Sequence, residues 1–170
     1  MKEKKIEVGV DQFTIVLQTT KGNFDFDDWK DEIAEDVLWD FMESTKMLDL
    51  FNELDFCKAN VKLPEGYTVG YAFKDSSFYF VTAYHEAFQK MGVIVKFSSY
   101  AWQEYQKRFE LAYGFPIHLH SFFQLIESDL FDFRLSRIDP CVDFFNYGID
   151  ISALKRSIEN KRTEVRYGKY

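Results

Sequence analysis

A chain of 170 residues, 46% of them hydrophobic, can bury enough apolar surface to fold as one domain over residues 1–170 without disulfide or metal staples. Cys57 and Cys141 stand far apart with no CxxC or Cys/His spacing, and no run is apolar enough for a signal core or a membrane span; this excludes a disulfide framework, a zinc finger and membrane insertion, and points to the cytoplasm. The net charge of −7 weighs against nucleic-acid binding, which draws on Lys and Arg, unless the charge is segregated along the chain.

Residues 11–17 alternate Phe13, Ile15 and Leu17 with Gln12, Thr14 and Val16, the period of a strand. A loop over residues 21–25 follows. From Asp28 the period lengthens, with Trp29, Ile33, Val37 and Phe41 on one helical stripe and acids in the first turn, where the helix dipole favours them. A shorter helix is expected over 47–54. Residues 56–63, 67–73 and 78–84 are aromatic and β-branched runs separated by Pro64-Glu65-Gly66 and by residues 74–77, which reads as a three-stranded antiparallel meander. After Gly92, residues 93–97 form another strand, and Ser98 or Ser99 caps a helix carrying Trp102, Tyr105, Phe109 and Ala112. A short helix over 121–128, a long strand over 133–144, a helix capped by Asp150 and running through Ile158, and the start of a strand over 163–170 complete the pattern. Strands followed by a helix, twice over, imply an α+β fold. The expected form is an antiparallel sheet packed against helices, an order that two ferredoxin-like lobes also produce.

Charge is unevenly distributed. Acids dominate residues 25–55, whereas residues 155–169 hold Lys155, Arg156, Lys161, Arg162, Arg166 and Lys169 against Glu159 and Glu164. Nineteen Phe, ten Tyr and three Trp exceed the usual aromatic share, so rings fill the core, stack on nucleobases, or both.

Residues 135–145, Leu-Ser-Arg-Ile-Asp-Pro-Cys-Val-Asp-Phe-Phe, carry the most chemistry. On a strand Arg137, Asp139, Cys141 and Asp143 share one face, and Ile138, Val142 and Phe144 share the other. The Cα atoms of Asp139 and Asp143 stand roughly 13 Å apart on a straight strand, so the two do not chelate one small cation unaided. Each can supply one oxygen ligand to a Mg²⁺ or Mn²⁺ site completed elsewhere, or the face can be a solvated one holding an Arg137–Asp139 pair. Pro140 removes a ladder hydrogen bond and implies an interrupted strand or an edge.

The Arg137-Ile138-Asp139 core with Asp143-Phe144 resembles the signature of the replication initiation factor family, the rolling-circle initiators of Gram-positive plasmids and their relatives in integrative elements. Residues 91–100 and 121–127 are similar to two further stretches of that family in the same order, so the likeness runs from about Phe13 to Tyr170 and matches the N-terminal part of such a protein. The resemblance implies a DNA-binding replication initiation protein acting in metal-assisted nicking and rejoining of a plasmid origin. A tyrosine would attack the phosphodiester while a divalent cation, Mg²⁺ or Mn²⁺, polarises the phosphate. It places Asp139 and Asp143 at the metal, and Arg137, Lys155, Arg156, Lys161, Arg162, Arg166 and Lys169 on DNA. The partner would be origin DNA, and a homodimer is left open. Neither Tyr167 nor Tyr170 stands in the family's Tyr-Asp/Glu-Lys context, so the expectation is a chain truncated before its nucleophile, whose isolated nicking fails. The alternative is a non-catalytic regulatory or protein-binding domain on the same fold.

His118-Leu119-His120 follows Pro116 and precedes a helix, which favours a loop or cap role over a metal-binding His pair. No Gly-rich phosphate loop, nucleophile elbow or His-Glu-x-x-His helix is present, so nucleotide hydrolysis, acyl transfer and zinc proteolysis lack support.

Overall fold

The computed structural model describes residues 3–59 and 61–162. The alternation at Phe13, Ile15 and Leu17 belongs to a longer strand, β1 (Lys5–Thr19). Asp25 opens the helical region with a capping box, its carboxylate accepting from the Asp28 amide while Asp28 accepts from the Asp25 amide. Helix α1 (Phe26–Asp28) continues through a π turn, Trp29–Ile33, into α2 (Ala34–Ser44), and α3 (Met47–Leu50) follows. Trp29, Ile33, Val37, Leu38 and Phe41 are all buried, as their spacing requires.

Strands β2 (Phe56–Lys58), β3 (Val69–Phe73) and β4 (Phe80–Tyr84) make the expected antiparallel meander, and β5 (Val93–Phe97) extends it. The strand expected over 56–63 stops early: Ala59 donates to Gly70 O, and the chain then leaves the ladder. Helix α4 (Ser99–Tyr113) is capped by the Ser98 hydroxyl and ends at Gly114 in the left-handed region. Helix α5 (Leu119–Leu125) begins two residues before the expected start, with His118 at its N-cap. Strand β6 (Phe131–Phe145) and α6 (Ile151–Glu159), capped by the Asp150 carboxylate, follow. The strand expected over 163–170 lies outside the described residues.

The six strands form one antiparallel sheet in the order β2-β3-β4-β5-β1-β6. With its helices this is the α+β architecture that the element order implied. Contacts between β1 and β6 run in opposite senses, Thr20 N to Leu130 O near one end and the Gln12 amide to Asp139 further along, as antiparallel neighbours require. β6 passes through Pro140 unbroken because it is the outer strand, where a missing ladder donor is tolerated.

The chain divides into two compact units, residues 10–141 and a smaller one of residues 1–9 with 142–170. In the larger unit the helices bury one face of the sheet. Phe13 stacks on Phe97 at 4.8 Å and meets the edges of Trp102 and Phe122 at 5.0 and 5.6 Å, so the aromatic excess first of all fills this core. Tyr105 donates to Thr45 O, and the Glu35 carboxylate accepts from Tyr71 and Tyr84 at 2.5 and 3.4 Å. Burial, with Glu35 next, pushes Tyr71 up to about 12. In the smaller unit the Asn146 amide donates to Glu3 O, Lys4 lies over the Tyr147 ring, and Ile151, Leu154 and Ile158 are exposed along α6.

Two glycines sit where the chain approaches closely, Gly70 beneath a side chain and Gly92 against backbone. A Cβ at Gly70 would lie 2.3 Å from Leu63 Cδ2, because Leu63 covers the sheet there. At Gly92, with φ +68° and ψ −169°, a Cβ would lie 2.3 Å from Leu17 O.

Candidate nucleic-acid interface

Arg137 and Asp139 lie on the same side of β6, two residues apart, and form a forked pair: Nε donates to Oδ1 at 2.9 Å and Nη2 to Oδ2 at 2.6 Å. The Gln12 amide also donates to Asp139 Oδ2, at 2.5 Å. The Arg137 bond first, and then that from Gln12, holds the Asp139 carboxyl down at about 2. Both oxygens therefore already accept hydrogen bonds, Oδ1 from Arg137 and Oδ2 from Arg137 and Gln12.

Asp143 belongs to the smaller unit, and among the described residues no cluster of three or more His, Cys, Asp or Glu could hold a metal ion. Among the described residues the side chains do not gather into a prepared Mg²⁺ or Mn²⁺ centre. Ile138, Val142 and Phe144 are 40%, 49% and 52% exposed, because an outer strand carries no helical layer over them.

Of the cations expected on DNA, Lys155, Arg156, Lys161 and Arg162 lie on or just after α6 in the smaller unit, where Arg156 Nε donates to Ser152 O. Arg166 and Lys169 lie outside the described residues. His118 holds the N-cap position of α5 by its backbone, and its carbonyl accepts from Phe122 N. Both cysteines are free thiols.

A different set of cations comes together on the side of the sheet away from the helices. Phe13, Ile15, Leu17, Val93, Val95 and Phe97 point into the core. The alternation of strand side chains then turns Thr14, Val16, Ile94 and Lys96 to the other side, with Lys96 opposite Thr14 on β1 and Val81 on β4. On β6, Phe131 is buried and Phe133 packs on the core, which turns Asp132 and Arg134 the same way as Lys96. The Lys96 ammonium lies 5.6 Å from the Tyr79 ring centre, and the Tyr79 hydroxyl donates to Lys62 O. Burial raises Tyr67, while the nearby Arg134 charge opposes the rise. Burial raises Tyr79 too. Both phenols therefore stay neutral and present ring and hydroxyl together.

Lys96 and Arg134 thus accompany Tyr79 and Tyr67 on one surface, with Asp132 beside Arg134 on β6. The acids of residues 25–55 belong to α1, α2, α3 and their loops. Cations on a surface with half-buried aromatic rings are the elements of a phosphate-tracking, base-stacking interface. Sequence reasoning passed over these residues. The available signal was a lone cation inside each of two strands, Lys96 within Val-Ile-Val-Lys-Phe and Arg134 within Phe-Asp-Phe-Arg-Leu.

No protein-family model matches the chain, and no curated protein matches it. Among solved structures, the chain is similar to one titled "Structure of Rolling Circle Replication Initiator Protein from Geobacillus stearothermophilus", with 15% identity and a TM-score of 0.47. The match covers 97% of this chain and 54% of that one, so the chain spans about half the length of that protein. Among the described residues no helix is long and apolar enough to cross a membrane.

Proposed function

We propose that this chain is a DNA-binding domain of a replication initiation protein, and that it lays a nucleic-acid backbone across the helix-free face of its sheet. The observation that carries the reading is the placing of Lys96 beside Tyr79 and of Arg134 beside Tyr67 on one side of the sheet. The cations would neutralise phosphates, and the rings would give unpaired bases a stacking surface. The likeness of the Arg137-Ile138-Asp139 segment to rolling-circle initiators supports the choice of DNA and of replication. Arg137 then acts as a positioning residue for Asp139 and Gln12 on the two neighbouring strands, since its guanidinium is already committed.

Charge reversal tests the proposal. Lys96→Glu and Arg134→Glu, alone and together, are compared with Lys107→Glu on the surface of α4, with binding of labelled single-stranded and duplex DNA read by fluorescence anisotropy. The expected result is that the first two variants weaken binding and the third leaves it unchanged. Equal loss from all three would show unspecific charge attraction. Absence of binding by the unmodified chain at every ionic strength would support a domain that works through protein contacts instead.

A further inference from the structure

We infer that the cleft between the π turn and the β4–β5 connection is a pocket for one unstacked nucleobase of single-stranded DNA. The inference rests on the DNA-binding reading above and adds to it a second place of contact with a distinct chemistry.

The cleft is open and has a volume of about 360 Å³, at the low end of the range of small-ligand sites. Phe24, Phe26, Trp29 and Phe88 line it together with Ala87, Gln89 and Lys90, and the Asp25 carboxylate, engaged in capping α1, also borders it. Phe26 and Phe88 are 49% and 60% exposed, whereas Trp29 at 1% forms the floor. A large aromatic ring standing in water is costly unless something covers it, and two flank this one cleft.

The walls are held in place. Trp29 Nε1 donates to His85 O at 2.9 Å and stacks on Phe24 at 6.3 Å. The His85 ring packs on Phe88 at 4.4 Å, and its Nδ1 accepts from Ala87 N. A flat, mostly apolar ring fits between such walls. A purely hydrocarbon ligand would leave the Gln89 amide and the Lys90 ammonium with nothing to do, and no described residue pairs with either. A nucleotide uses all of these groups: the base stacks, its polar edge meets Gln89, and its phosphate meets Lys90.

Continuity with the sheet face selects DNA over a partner's aromatic side chain. The rim is a 3₁₀ turn, Gln89–Met91, hydrogen-bonded to residues of the helix-free side. Gln18 Nε2 donates to Lys90 O at 3.2 Å, and the Tyr67 hydroxyl donates to Met91 O at 3.5 Å. Tyr67 is the ring beside Arg134. A strand tracking Lys96, Tyr67 and Arg134 therefore arrives at Lys90 without crossing the acidic helices. Gly92 allows the turn to lie this close to β1, its missing Cβ leaving room for Leu17 O.

The test uses the whole chain and two labelled probes: oligothymidylate of about twelve nucleotides and the same backbone with abasic sites throughout. Both Phe rings are exposed, so Phe26→Ala and Phe88→Ala should keep the thermal transition of the unmodified protein. Each should weaken oligothymidylate binding about tenfold, the size of one lost stacking contact, and leave the abasic strand unaffected. Lys96→Ala, on the sheet face, should weaken both probes. If the two Phe variants bind oligothymidylate as the unmodified chain does while Lys96→Ala is impaired, the pocket is not a base site and the sheet-face reading stands. If they weaken both probes equally, the rings do not hold a base. If the unmodified chain binds neither probe at low salt, both proposals fall.

Discussion

Gly92→Ala isolates the contact that sets the pocket rim against the sheet. Gly92 occupies φ +68°, ψ −169°, a region used almost solely by glycine, and a Cβ there would meet Leu17 O at 2.3 Å, Gln18 Nε2 at 2.7 Å and Val16 Cγ1 at 2.9 Å. Backbone strain of about 1–3 kcal/mol adds to an overpacking cost of similar size, because Leu17 O is strand backbone, held by the last pair of the β1–β5 ladder, and not the end of a flexible side chain. The sum is about 3 kcal/mol or more, which lowers the melting temperature by roughly 6–12 °C in a chain of this size. Gly114→Ala is the matched control. It also has positive φ, +79°, but nothing lies within 4 Å of the added Cβ, so it carries only the left-handed penalty of about 1–2 kcal/mol. Circular dichroism melts of both variants settle the comparison. Equal losses, or a Gly92→Ala protein as stable as the parent, would refute the argument that a steric contact with β1 fixes this turn.

Two more outcomes follow from the core. Thr82 is fully buried and its hydroxyl has no partner among the described residues, so the isosteric Thr82→Val should raise stability by about 1–3 kcal/mol in denaturant titration. Tyr71 is held near 12 in the folded chain against an ordinary value of 10, so its neutral form is favoured by folding. That contribution is intact below pH 10 and disappears as pH rises from 10 towards 12; Tyr71→Phe, which cannot ionise, should show a shallower alkaline loss of stability in the same titration.

The sequence carried the fold because its periods are unmixed. Phe13, Ile15 and Leu17 can only be one face of a strand, Trp29 through Phe41 can only be one face of a helix, and Ser98 and Asp150 cap the helices they were expected to cap. Boundaries slipped where tertiary contacts decided them: β2 ends once the chain leaves to place Leu63 over Gly70, and β1 runs past its alternating segment to meet β6. The functional surface was less legible. Arg137 and Asp139 form the pair that their spacing on one side of a strand allowed, whereas the Gln12 amide that joins them comes from the neighbouring strand, which no local pattern shows. Lys96 and Arg134 stand 38 positions apart on separate strands, and only the pairing of β5 with β1 and of β1 with β6 turns them towards one surface. No local pattern announces that.

The most direct test of the account is the salt dependence of DNA binding. Three phosphates neutralised by Lys90, Lys96 and Arg134 on a single strand give a slope of log affinity against log salt of about −2, so affinity should fall roughly twentyfold between 50 and 200 mM salt. With all three replaced by Ala the slope should collapse towards zero. A triple variant that keeps the slope of the parent would place the phosphate contacts elsewhere and contradict the assignment of the helix-free face.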